Sequence, residues 1–328
     1  MTLIKSISGI RGTIGGAPGD ALTPVDVVKF AAAFGTWIKS RKGKKVVIGR
    51  DARLSGEMVS SLVSSTLQGL GLNVIDLGLS TTPTVEIAVT LEKAGGGIIL
   101  TASHNPIQWN ALKLLNERGE FISASDGALV LKIAEEERFD FANVEKLGSY
   151  QKNDSYIQKH IELIKKYKLV DTKAIKKAKF KIAIDAVNST GGIAIPQLLD
   201  ALGVKKIKKI YCEPTGRFPH NPEPLPEHIK EISKAVKKGG YDVGIVVDPD
   251  VDRLALIHRL VAEIEGLRTA RDEQALRLDE RVNQIERLER TLAERDRLTA
   301  EQQAELDQVD AFWRANPDAF NKDFALIH

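Results

Sequence analysis

The 328-residue sequence holds one cysteine, Cys212, two methionines and few aromatics, with Phe, Trp and Tyr together at 5%. A single cysteine excludes an internal disulfide, so a reducing cytoplasm is the expected setting. Long apolar runs are missing too: none approaches the roughly 18 residues of a membrane span. The opening MTLIKSISGIRG lacks the apolar core of a secretion signal. Charge of one sign is also absent. The 47 Lys and Arg against 44 Asp and Glu leave +3, too little to argue for nucleic acid. The expectation is a soluble protein of two or three domains, with neither a nucleic-acid nor a membrane partner.

What is present is spread unevenly. Residues 258–328 keep one lysine, Lys322, and one glycine, Gly266, but hold 10 Arg, whereas residues 1–257 hold 28 Lys and 8 Arg. Net charge changes sign, from +8 (36 basic against 28 acidic) to −5 (11 against 16). Two segments of different origin are expected to meet near Ile257–His258.

The first segment alternates strand-like and helix-like patterns. KKVVIGRD (44–51), LNVIDLG (72–78) and GGIIL (96–100) read as strands; GEMVSSLVSSTLQGLG (56–71) and TPTVEIAVTLEKAG (82–95) read as helices between them. This βαβαβ run with short links predicts a mostly parallel, helix-covered sheet. A helix over 126–139 comes next, NVEKLGSY is expected as a polar connection, and a Lys-rich helix covers about 154–168. KFKIAIDAVNSTGG, VKKIKKIYCEP and YDVGIVVDPDVDRLALI supply further strands, separated by helices over 193–203 and 226–240. Two α/β domains are predicted, 1–150 and 151–257. Beyond them, steps of four and three residues from Leu260 to Trp313 place apolar side chains at ten of 16 seam positions. That spacing predicts one long helix over 258–315 with a coiled-coil-like seam. Packing of a charged helix on a globular body is the alternative.

Two stretches stand out chemically. In GGGIILTASHNPIQWNALKLL (95–115) an apolar strand breaks into Thr-Ala-Ser-His-Asn-Pro. Ser103 could simply cap a following helix, but His104, Asn105 and Pro106 are not needed for a cap. The pattern suits a serine hydroxyl presented at the carboxyl end of a strand, with Asn110 and Lys113 in the helix or loop beyond it. In DPDVDR (248–253), Asp248, Asp250 and Asp252 alternate after an apolar strand. In extended backbone their side chains share one face, and three close carboxylates repel unless a hard divalent cation neutralises them. An EF-hand is excluded, because its required glycine and glutamate are Arg253 and Arg259 here. Arg253 could hold a phosphate oxygen. A weaker signal, SISGIRGTIGG (6–16), puts Arg11 on a glycine-rich stretch that is either a flexible turn or a phosphate contact. A serine nucleophile, a metal loop and basic residues are the parts of a phosphoryl-transfer site. A generic phosphatase or esterase fits less well, since no G-x-S-x-G elbow is present.

Residues 1–257 resemble the α-D-phosphohexomutases, which include phosphoglucosamine, phosphomanno- and phosphoglucomutases. The strings that carry the resemblance are SGIRG (8–12), GRDARLSG (49–56), GLSTTPT (78–84), TASHNP (101–106), NALK (110–113) and DPDVDR (248–253). The resemblance implies that Ser103 is a phosphoserine and that Asp248, Asp250 and Asp252, with an oxygen on Ser103, bind one Mg²⁺. It implies that Arg11 and Lys113 assist proton transfer and phosphate contact, with His104 beside the nucleophile and Arg253 closing the metal loop. Substrate would be a hexose phosphate, interconverted between its 6- and 1-phosphates, with a hexose 1,6-bisphosphate as activator. The G-E-x-S-G-H sugar loop and the Arg/Ser/Thr/Gly-rich phosphate loop of family domains III and IV do not occur in the sequence. Impaired turnover is therefore expected. The alternative is an inactive fusion whose helix, 258–315, mediates self-association.

Overall fold

The computed structural model describes residues 2–6 and 9–315; Ser8 of the SGIRG string and residues 316–328 lie outside the described set. The chain divides into two compact units, Met1–Glu263 and Ile264–His328. Among the described residues no helix is long and apolar enough to cross a membrane.

The first unit opens with a hairpin of β1 (Ile4–Ser6) and β2 (Gly9–Thr13), so SISGIRGTIGG contributes strands where a flexible turn was one expectation. Helix α1 (Pro24–Ser40) adds to the expected elements. Thr23 and Asp26 close a capping box at its start, with Pro24 in the first turn. The predicted βαβαβ run is formed by β3 (Lys45–Arg50), α2 (Gly56–Gly69), β4 (Asn73–Leu79), α3 (Thr82–Leu91) and β5 (Gly96–Leu100). β3 pairs in parallel with β4 and with β5. Val46, Val47 and Ile48 are buried on both faces, as a strand covered by helices on each side requires.

After β5 the structure departs from expectation. Asn110 and Lys113 lie in a strand, β6 (Trp109–Leu115), which runs antiparallel to both β5 and β2. The period decides it. Leu112 and Leu114 enter the apolar cluster with Phe34 and Trp37 of α1, while Leu115 enters the cluster with Val85 and Val89 of α3. Alternation between two buried faces is a strand pattern. Helix α4 (Ala124–Glu135) comes next. The stretch expected as a polar connection contains a 3₁₀ turn, Val144–Lys146, and its last residue opens an edge strand, β7 (Tyr150–Lys152), parallel to β4. The sheet is therefore mixed, ordered β1-β2-β6-β5-β3-β4-β7, and it runs past residue 150.

Helices α5 (Tyr156–Lys166) and α6 (Thr172–Ala178) lead to a second sheet. Its elements are β8 (Lys181–Asp185), α7 (Gly191–Ala201), β9 (Lys206–Ile210), α8 (Lys230–Gly239), β10 (Val243–Val247) and β11 (Leu254–His258). The order is β11-β10-β8-β9, with only the β10–β11 pair antiparallel.

The long helix α9 runs from Arg259 to Ala315, 57 residues, or about 85 Å at 1.5 Å per residue. Residues 271–308 are all exposed. Seam side chains Leu260, Ile264, Leu267, Val309 and Trp313 lie outside the described set.

Candidate functional site

Ser103 sits in the turn between β5 and β6, not at a helix N-terminus. Its backbone is left-handed, φ 51°, a conformation that costs an L-residue about 1–2 kcal/mol. A buried scaffold enforces it. The Arg53 guanidinium, with no solvent exposure, donates to the carbonyls of Ser103 (2.6 Å), Asn105 (2.7 Å), Pro106 (2.7 Å) and Trp109 (3.0 Å). Asp51 pairs with Arg53 at 3.1 Å and accepts from Thr101 Oγ1 at 2.7 Å, and Thr101 Oγ1 accepts the Ser103 N–H at 2.9 Å. Burial pushes the Asp51 carboxyl up, and the Arg53 charge opposes that.

This turn aims Ser103 Oγ at the second constellation, where it donates to Asp248 Oδ2 at 2.9 Å. Asp248 and Asp250 are fully buried and Asp252 is partly exposed. Oxygens of the three carboxylates all lie within 4.8 Å of one another. They converge through a turn with Val251 at φ 64°, not through the pleat of an extended strand. Burial, and then the like charges of Asp250 and Asp252, push Asp248 up to about 8. Lys113 Nζ bonds Asp250 at 2.8 Å and Asp252 at 3.1 Å. Burial would lower its pKa, but those two carboxylates raise it. Asp250 Oδ2 also accepts from Thr82 Oγ1 at 2.6 Å, whereas Asp250 Oδ1 is buried with no hydrogen-bond partner among the described residues. A buried, unpaired carboxylate oxygen inside an all-oxygen donor set fits a hard divalent cation.

The basic residues border the same cleft of about 270 Å³, which Arg11, Ser103, His104, Lys113, Asp252 and Arg253 help to line. Arg11 stands on β2 opposite Ala111 of β6. His104 Nδ1 is 3.4 Å from Ser103 Oγ; burial, then the Arg253 charge, holds its pKa below the usual value. Arg253 pairs with Glu223 at 2.6 Å, and its N–H donates to Asp248 Oδ1 at 3.1 Å. The side chains singled out around Ser103 and the metal loop are therefore gathered on one cleft or its floor.

Sequence reading gave no individual role to Asp51, Arg53, Thr82, Glu86 or Glu223. The first four belong to or adjoin the strings GRDARLSG and GLSTTPT, which were the available signal. Glu86 is pushed up by burial first and then by Asp252. Asn110 is buried and bonds Ser55 at 2.9 Å, so it is a scaffold residue.

Residues 3–141 match the family Phosphoglucomutase/phosphomannomutase, alpha/beta/alpha domain I, and residues 154–260 match its domain II. A Thermococcus kodakarensis phosphoglucomutase/phosphomannomutase is 38% identical over 264 residues, covering 79% of this chain and 57% of that protein. A Sulfurisphaera tokodaii phosphoglucosamine/phosphogalactosamine mutase is 32% identical over 254 residues, covering 76% of this chain and 53% of that protein. The chain thus spans little more than half the length of these curated relatives. The crystal structure of a phosphoglucomutase/phosphomannomutase family protein from Burkholderia thailandensis superposes with a TM-score of 0.66 at 27% identity, over 78% of this chain and 56% of that one. With both domain matches in order and the serine and aspartate strings brought together in space, the chain belongs to the phosphoglucomutase/phosphomannomutase family of phosphohexomutases, of which it carries domains I and II.

Proposed function

We propose that this chain holds the phosphoserine and metal side of a phosphohexomutase site, acting on a hexose phosphate. The observation that carries the reading is the placement of Ser103 Oγ 2.9 Å from Asp248, within the three-aspartate cluster. In this reading Ser103 carries a phosphoryl group. A sugar hydroxyl attacks its phosphorus; the new P–O bond to the sugar forms as the bond to Ser103 Oγ breaks, and the hydroxyl proton leaves to a neighbouring base. The resulting hexose bisphosphate then returns its other phosphate to Ser103, which converts 6-phosphate to 1-phosphate. In this reading Arg11 and Lys113 assist proton transfer and phosphate contact, His104 stands beside the nucleophile, and Arg253 contacts phosphate. Asp248, Asp250, Asp252 and a Ser103 oxygen would hold one Mg²⁺, which supplies charge neutralisation of the transferring group.

The domains 1–150, 151–257 and 258–328 belong to the same proposal, with the first boundary set after β7, because Tyr150–Lys152 pair with β4 of the first sheet. Positioning contributes roughly 7–11 kcal/mol to such a reaction, and in this reading part of it comes from sugar- and phosphate-loop strings that do not occur in the sequence. Turnover by this chain alone should therefore be low. Two measurements test the site. Intact mass and peptide mapping of protein from cells should find phosphate on Ser103; phosphate recurring on another serine with Ser103 bare would remove the assignment. A coupled mutase assay with several hexose phosphates tests turnover directly.

A second reading, an assembly protein whose helix self-associates, is favoured by one observation. Leu278, Ile285, Leu288 and Leu292 occupy one seam of α9 and are 49–63% exposed.

A further inference from the structure

The segment Asp185–Gly191, DAVNSTG, does not line the Ser103 cleft, yet its backbone is unusual. Val187 (φ 46°) and Asn188 (φ 54°) are consecutive left-handed residues. Asparagine tolerates that region, but a β-branched valine there is an outlier and needs its surroundings to enforce it. Val187 is fully buried, and its N–H donates to Asp185 Oδ1 at 3.1 Å. The Asn188 N–H donates to the Tyr211 carbonyl at 2.6 Å, and the Asn188 carbonyl accepts the Gly216 N–H at 3.0 Å. Gly192 lets the chain pass close by, because a Cβ there would stand 2.0 Å from the Cys212 carbonyl oxygen.

This enforced turn delivers two hydroxyls to one atom. Ser189 Oγ donates to the Pro249 carbonyl at 2.7 Å, and Thr190 Oγ1 donates to the same carbonyl at 2.8 Å. Both residues have no solvent exposure. Pro249 lies between Asp248 and Asp250, so a carbonyl gripped through both lone pairs fixes the peptide plane that sets the direction of those carboxylates. Ser189 Oγ also accepts the Ala52 N–H at 3.2 Å. Ala52 lies between Asp51 and Arg53, whose side chains hold the Ser103 turn. One buried hydroxyl therefore ties the metal loop to the scaffold of the nucleophile.

We propose that Ser189, assisted by Thr190, is the positioning residue of the metal loop, fixing the aim of Asp248 and Asp250 and their separation from Ser103. The proposal rests on the reading that those aspartates hold a divalent cation. If the hydroxyls only satisfied a buried carbonyl, their removal would lower stability and leave cation affinity alone.

The test is calorimetric titration of the full chain with Mn²⁺ alone, for the parent and for Ser189→Ala, Thr190→Val, Asp250→Asn and Ser64→Ala. Ser64 is a control: its buried hydroxyl donates to the Ser60 carbonyl at 2.6 Å within α2. Loss of a partner that orients a metal ligand weakens affinity by about 10–100-fold. Ser189→Ala should fall in that range, Thr190→Val should weaken binding less, and Ser64→Ala should bind like the parent even with a lowered melting temperature. Parent-like Mn²⁺ affinity in both Ser189→Ala and Thr190→Val, with binding lost in Asp250→Asn, would overturn the positioning role and leave the metal site standing. A parent that binds no Mn²⁺, or an Asp250→Asn variant that binds it unchanged, would overturn the metal reading itself. Should Ser189→Ala fail to fold, Thr190→Val decides.

Discussion

Arg53 holds more of the candidate site in place than any residue that faces the cleft. It has no exposed surface, one carboxylate partner and four carbonyl partners, all in the Ser103 turn. The face of its guanidinium also lies 5.1 Å from the Phe218 ring. Removing one member of a buried ion pair costs about 3–5 kcal/mol, because the other charge stays behind. Arg53→Met should therefore destabilise the first unit by that amount in urea titration, and Arg53→Lys should recover little, since an ammonium cannot fork to four carbonyls. A loss below about 1 kcal/mol would mean that the turn holds itself. His220 offers a pH handle on the same unit. Its Nε2 is 3.1 Å from Asp185 Oδ2 and its Nδ1 is 2.8 Å from the Asn221 carbonyl, both acceptors. Burial lowers its pKa, but the hydrogen bonds to Asp185 and Asn221 outweigh it, helped by the charges of Asp185 and Glu231; the Tyr211 ring packs against the other side. The folded pKa is thus above the unfolded value of 6.5. Its stabilisation is complete below that value and is lost as pH rises through the folded pKa. His220→Ala should lower stability by about 1–3 kcal/mol at roughly pH 5.5, and the gap from the parent should narrow at about pH 9. A gap independent of pH would show that the proton contributes nothing.

At the scale of elements, the turn between β5 and β6 converts sequence into chemistry. Its strings were legible: an apolar strand, a serine, then Asn-Pro. The strand beyond the turn was less so. NALKLL contains leucines at spacings that suit a helix as well as a strand, and only the two cores met by Leu114 and Leu115 select the strand. α1 carried clear signals in Thr23, Pro24 and Asp26, yet its all-apolar face resembles any buried segment. The partners of Arg53 in the turn lie 50 to 56 residues away, a separation at which sequence pattern carries no signal, and the same holds for Ser189 and Pro249. By contrast, the three aspartates were legible because they lie close together in the sequence, at 248, 250 and 252. The turn's conformation makes a prediction of its own. At φ 51°, glycine avoids the Cβ clash that serine and alanine suffer. Ser103→Gly should be more stable than Ser103→Ala by about 1 kcal/mol in chemical denaturation, although both lack the hydroxyl. Equal stability would indicate that the turn relaxes out of the left-handed region when the Asp248 contact is lost.

Across the whole molecule, the division after Glu263 separates two ways of being stable. The first unit closes its second sheet by pairing Val243 with His258, and its apolar side chains fill defined cores. Helix α9 has no such closure over 271–308. Its i,i+4 pairs Arg290–Glu286, Arg297–Glu301 and Arg314–Asp310 are exposed, and pairs of this kind are worth about 0.3–0.5 kcal/mol each. A helix so supported is marginal in water unless its apolar face is covered. Covering Leu278, Ile285, Leu288 and Leu292 with the same residues of a second copy would contribute roughly 1.5–3 kcal/mol for each side chain fully buried. Arg271, Arg281 and Arg295 interrupt that seam, and in a parallel pair each would face its own copy. Those like charges should keep association weak, while added salt should screen them. Sedimentation of the full chain is expected to show a reversible monomer–dimer equilibrium that tightens from about 50 to about 500 mM NaCl. A chain ending at Glu263 should sediment as a folded monomer at every concentration, with parent-like Mn²⁺ affinity. Replacing two seam residues, Ile285→Glu with Leu288→Glu, puts carboxylates where the apolar contacts would form. That double variant should abolish the dimer at unchanged melting of the first unit. A full chain that stays monomeric at roughly 100 μM, where a contact worth about 5.5 kcal/mol would be half formed, would dismiss self-association, and a chain ending at Glu263 that fails to fold would show that α9 completes the α/β unit.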